Sequence, residues 1–76
     1  MLLKPGTVEV YRSIERLWQM TRRPPSLKEI GEASYLTTTA VVHHLKKLEA
    51  AGLIERQPYR WRSTRIVKPL PDRIDP

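Results

Sequence analysis

The chain has 76 residues, with 14 Lys and Arg against 8 Asp and Glu and no Cys. That length allows one domain with a small core, and the lack of Cys excludes disulfides and thiolate metal sites. No apolar run approaches the roughly 18 residues of a membrane span, and the start MLLKPG lacks a signal peptide's apolar stretch, so the chain reads as soluble, cytoplasmic and free of membrane. The basic surplus is uneven. Residues 1–36 carry six bases and four acids, residues 37–68 seven bases and two acids, and residues 69–76 one base and two acids. A local surplus attracts polyanions, nucleic acid first and acidic membrane second; charge for solubility alone is the alternative.

Pro5 suits a first helical position, where its missing N–H costs nothing. Val10, Tyr11, Ile14, Leu17, Trp18 and Thr21 recur at helical spacing as one apolar stripe, with Glu9, Arg12, Arg16 and Gln19 on the other side. The spacing predicts a helix over 5–22, with Glu9 in its first turn and Arg22 and Arg23 in its last, as the helix dipole prefers. In so small a chain the stripe reads as core. Pro24 and Pro25 stop this helix. Ser26-Leu27-Lys28-Glu29 matches a capping box and opens a short second helix over 27–33, with Leu27, Ile30 and Ala33 facing inward. Gly31 permits close approach of another backbone.

Ser34-Tyr35-Leu36 reads as a turn, and Thr37 caps a third helix. Val41, Leu45 and Leu48 form a narrow apolar seam on it. At about 100° per residue the opposite face carries Thr39, His43, Lys46, Lys47 and Ala50, with Thr38 and Val42 toward its flank. Ala51-Gly52 ends the helix. Residues 53–57 and 64–67 read as two strands of an antiparallel hairpin, with a tip at Pro58-Tyr59-Arg60-Trp61-Arg62-Ser63. Residues 69–76 hold three of the seven prolines and read as a tail. The fold class is therefore mainly α with a small β-hairpin. A three-helix winged helix-turn-helix spans 1–68, and a Pro-rich tail spans 69–76.

A family likeness rests on Lys4-Pro5 with Glu9-Val10-Tyr11, Pro24-Pro25-Ser26, Glu29-Ile30, His44-Leu45-Lys46, Leu48, Gly52-Leu53-Ile54-Glu55 and Arg65-Ile66. Through these the chain resembles the winged helix-turn-helix domains of bacterial and phage repressors, above all the LexA repressor DNA-binding family. MarR-like regulators share the HLKKLEAAGLI phrase. The resemblance implies that the third helix enters the major groove of double-stranded DNA, and that the chain serves a repressor-like transcriptional regulator. Two departures stand out. Many members have Leu-Gly where this chain has Ser34-Tyr35, and a left-handed turn conformation strains Tyr35, so a differently shaped turn is expected. No counterpart of the LexA self-cleaving serine/lysine domain is expected after Val67, so protease and damage-sensing functions are not carried over.

The outward face of the third helix has chemistry suited to bases. Thr38 and Thr39 can bond base edges, Val42 can meet a thymine methyl, His43 can donate or accept, and Lys46 can reach a guanine. Thr37 and Lys47 suit phosphates. Arg22, Arg23, Ser26 and Lys28 surround the start of the second helix, which in such docking approaches the DNA backbone. Arg60 and Arg62 form a wing expected on phosphates or in the flanking minor groove; Tyr59 and Trp61 suit either stacking or packing. His43 and His44 are adjacent and point about 100° apart, so they cannot share a metal as an i, i+4 pair can. No nucleophile–base grouping or Gly-rich phosphate loop is present, so neither enzyme activity nor a cofactor is expected.

The alternative reading is a winged-helix protein-interaction module. Tyr35, Tyr59, Trp61 and the PLPDRIDP tail motivate it, with transcription or replication machinery as partner. Regulators of this kind bind paired half-sites as dimers, yet no dedicated dimerisation helix is visible; homodimer and monomer both stay open.

Overall fold

Pro5 opens the first helix, α1 (Pro5–Thr21), behind an extended Lys4. This is a computed structural model, and it describes residues 3–57 and 62–70. Two further helices follow, α2 (Leu27–Ser34) and α3 (Thr38–Ala50), then strands β1 (Ile54–Glu55) and β2 (Arg65–Ile66). The three helices pack on one another, and the antiparallel hairpin closes the bundle against α3 and α1. The chain is thus mainly helical with a two-stranded wing, as its sequence predicts.

The core is one cluster of Leu3, Val10, Tyr11, Ile14, Ile30, Val41, Leu45, Leu48, Leu53 and Ile54, with Leu70 partly buried against it. The α1 stripe sinks at Val10, Tyr11 and Ile14 but surfaces toward its end, where Leu17 is half-buried, Trp18 is 39% exposed and Thr21 is exposed. A 17-residue helix outruns the 8-residue α2 packed on it, so its last turn has less to bury against. The helix stops at Thr21 because Arg22 turns left-handed (φ 59°) and donates its N–H to Trp18 O. Arg22 and Arg23 therefore lie beyond the last turn rather than in it, and no acid occupies the first turn. Glu9 instead pairs with Arg16 at 3.0 Å on the exposed side.

Polar side chains also sit inside. Ser13 is buried, and its Oγ accepts from Ser34 Oγ at 2.8 Å, tying α1 to the end of α2. The Tyr11 hydroxyl donates to Lys68 O at 2.8 Å, which pins the chain after β2, and burial raises its pKa above the ordinary 10.0. Among the described residues no buried side-chain polar atom lacks a partner, as a small core requires.

The helix-turn-helix turn keeps a compact shape by forcing Tyr35, rather than a glycine, into the left-handed region (φ 59°, ψ 42°). Gly31 O accepts both the Tyr35 N–H and, at 2.9 Å, the Leu36 N–H. A Cβ at Gly31 would stand 2.7 Å from Leu36 O, so the close approach expected of this glycine is to the turn itself. Past α3, Gly52 (φ 74°) turns the chain, and Leu53 N donates to Leu48 O at 3.0 Å. The strands are shorter than their sequence suggests, with register Ile54 to Ile66 and Glu55 to Arg65. The ladder stops because Gln57 N donates to Ser63 Oγ, at 2.9 Å, instead of to a strand partner.

Two substitutions test this turn. Tyr35→Gly relieves a left-handed conformation while losing no packing, since Tyr35 is 95% exposed; it should stabilise the fold by about 0.5–1 kcal/mol. Gly31→Ala drives a methyl into Leu36 O and should destabilise by about 1–3 kcal/mol. Thermal melts of both variants report the signs.

Candidate nucleic-acid interface

The orientation of α3 follows from its seam. Val41, Leu45 and Leu48 are fully buried, so the opposite face is left to solvent. Thr39, His43 and Lys46 are exposed there, Thr38 is exposed at the flank in the first turn, and Val42 and Lys47 are half-buried at the edges. These groups, proposed from the sequence to meet bases or phosphates, thus share one side of one helix. Thr37 Oγ1 accepts the Ala40 N–H at 3.2 Å, so its hydroxyl is engaged as the α3 cap. Lys28 stands exposed in the first turn of α2, and Arg22 and Arg23 are exposed in the connection before it.

His44 faces a different way from His43. Its Nδ1 shares a 2.9 Å hydrogen bond with the buried Thr7 hydroxyl of α1, and its ring edge lies against Gly6. Burial lowers its pKa below 6.5, and the neighbouring Lys47 and His43 lower it further. His44 is therefore a neutral packing group near neutral pH and adds no cation to the face.

Around the start of α2 the geometry departs from the sequence expectation in two places. Ser26 is buried, with its hydroxyl accepting the Glu29 N–H at 3.1 Å and its own N–H donating to Glu29 Oε1 at 2.9 Å. The Ser26 N–H donates and its hydroxyl oxygen accepts inside the capping box, and burial turns this residue, expected to meet a phosphate, away from solvent. Arg62 is not an outward wing cation either. Its side chain is 21% exposed, and Nη1 donates to Glu29 Oε1 and, at 3.3 Å, to Pro24 O. An unpaired carboxylate at a helix start draws any nearby cation, and Glu29 captures Arg62. Arg60, Tyr59 and Trp61 lie outside the described residues.

Two features carry no signal in the sequence. Arg56, with its side chain 9% exposed, donates from Nε to Glu49 Oε1 at 2.8 Å and ties the end of β1 to α3. A spacing of seven across a helix end and a turn gives no sequence signal for such a pair. A groove of about 410 Å³ runs between α1 and β2, lined by Ile14, Glu15, Trp18, Gln19, Arg65, Ile66 and Val67. None of its walls comes from α2 or α3. Among the described residues no cluster of His, Asp and Glu is placed to hold a metal.

The Arg62 bond, followed by the Ser26 N–H, holds the Glu29 carboxyl down at about 2, against an ordinary 4.5. A folded-state pKa below the unfolded one means that this bridge stabilises the fold fully above about pH 4.5 and is lost as pH falls toward about 2. Wild-type melting temperature should fall through that window. Glu29→Gln should be less stable at neutral pH, by roughly 1–2 kcal/mol, and flatter across the window. Acid titration of thermal melts checks both.

Comparison with known proteins places this geometry in a family. Residues 3–63 match the family described as LexA DNA binding domain. A LexA repressor of Staphylococcus aureus (strain Mu3 / ATCC 700698) is 45% identical over 60 residues, covering 78% of this chain and 29% of the relative. A LexA repressor of Staphylococcus epidermidis is 40% identical over 68 residues, covering 88% of this chain and 33% of the relative. The chain thus spans about a third of the length of these curated relatives. With the match running over residues 3–63, across all three helices and β1, the chain belongs to the LexA DNA-binding domain family.

Proposed function

We propose that this chain binds double-stranded DNA in a sequence-specific way as the reading unit of a transcriptional repressor, with α3 in the major groove and the wing on the backbone or minor groove. One observation carries the reading: Thr38, Thr39, His43 and Lys46 are exposed, with half-buried Val42 beside them, on a helix whose other side is buried. The relatives named repressors support the same role. Lys28, Lys47, Arg22, Arg23 and Arg60 supply the phosphate-directed charge in this reading. Direct readout is modest, because no Arg, Asn or Gln joins the face before Lys46. Hydroxyls, one imidazole and one apolar side chain discriminate less than a bidentate pair.

Binding-site selection from a random duplex pool, followed by titration at several salt concentrations, tests the reading. Affinity should fall with salt at a log–log slope of about −0.9 per phosphate contacted; a slope near zero excludes the proposal. Thr39→Ala and His43→Ala should relax the ranking of sites. Lys47→Ala and Arg60→Ala should weaken all sites alike and each reduce the slope by about 0.9. A selected palindrome would mark a homodimer, and a single half-site a monomer.

A protein-interaction role has one observation in its favour, the Trp18 groove between α1 and β2. Capture of partners from the transcription or replication machinery that survives nuclease treatment would support it. Loss of every partner on nuclease treatment rules against it.

A further inference from the structure

We infer that Arg62 and Glu29 are a positioning pair, which locks the base of the wing onto the start of α2 and so sets the spacing between the wing and the reading helix. The inference rests on the DNA-binding reading above and adds two residues to it, neither of them a DNA contact.

The geometry comes down to one oxygen. Glu29 Oε1 accepts from Ser26 N at 2.9 Å and from Arg62 Nη1, while the same Nη1 donates to Pro24 O. The connection after α1, the first turn of α2 and the wing base thus meet at one carboxylate. The wing base is itself closed next to this point, where Ser63 Oγ accepts from Gln57 N at 2.9 Å and donates to Gln57 O at 2.8 Å. Arg62 enters the arrangement with φ 54°, a left-handed conformation that a non-glycine side chain holds only where surrounding contacts over-determine it. Among the described residues those contacts include the Glu29 carboxylate and the Pro24 carbonyl. To reach a phosphate, Arg62 would have to abandon both and leave the Glu29 carboxylate without its cation, held only by the Ser26 N–H, on the side of α2 that this reading turns toward the DNA backbone.

That conflict of charges gives the test its sign. If the two residues act only through net charge, removing Glu29 strengthens DNA binding and removing Arg62 weakens it. If they act by position, both removals weaken it. Wild type, Glu29→Gln, Arg62→Gln, Arg62→Lys and the double variant Glu29→Gln/Arg62→Gln are titrated with a selected duplex over a range of salt, at a temperature where circular dichroism finds each folded. The pair predicts that Glu29→Gln and Arg62→Gln each bind about five- to tenfold more weakly, with the wild-type salt slope, and that the double variant is no weaker than the worse single one. Arg62→Lys keeps the charge but not the forked geometry, so it too should bind more weakly. Amide exchange at Gln57 and Ser26, without DNA, should speed up in every variant. Glu29→Gln binding as tightly as wild type or more so, or Arg62→Gln lowering the slope by about 0.9, overturns the inference. A wild-type slope near zero instead removes the DNA-binding reading and the inference with it.

Discussion

Three side chains spaced four and three apart, Val41, Leu45 and Leu48, decide what this domain can present to a partner. All three are fully buried, so α3 has one rotational setting in the bundle. Rotating it by one residue would sink His43 or Lys46 and raise a leucine, and burying an unpaired cation costs far more than the core can return. The chemistry of the outer face is therefore a consequence of the inner one. Thr38, Thr39, His43 and Lys46 are exposed because the seam leaves them nowhere else to be.

A core to which the described residues contribute ten side chains needs help to hold three helices and a hairpin in register. The help is polar and placed at joints. Ser13 and Ser34 tie α1 to α2, Tyr11 holds the chain at Lys68, Arg56 and Glu49 link the strand exit to α3, and Glu29 gathers Ser26 and Arg62. Each link spans two elements and is at least partly shielded from water. They therefore contribute orientation as well as stability, in contrast to the exposed Glu9–Arg16 and Glu55–Arg65 pairs, each worth little in water.

Local signals in the chain were legible because their causes are local. Pro5, the Ser26–Glu29 capping box, the Thr37 cap and Gly52 set helix ends within a residue of the observed ones. The α3 seam was readable from spacing alone. Long-range partners were not. Arg62 looks like one more cation of a basic tip until Glu29, 33 residues earlier, is seen beside it. Trp18 continues an apolar stripe whose burial depends on how far α2 extends, which no property of α1 encodes. The sequence predicts that Tyr35 alters the turn. It adopts the glycine-like conformation instead, because the two amides bonded to Gly31 O fix the turn more strongly than one strained residue opposes it.

In the proposed complex α3 meets DNA with the face that its seam leaves outside. Titrating a selected duplex into labelled protein and following backbone amide resonances tests this residue by residue. Shifts should be largest at residues 37–47 and at Lys28, with the α1–β2 groove around Trp18 and Val67 unmoved. Shifts centred on that groove, with the amides of α3 unchanged, would contradict it.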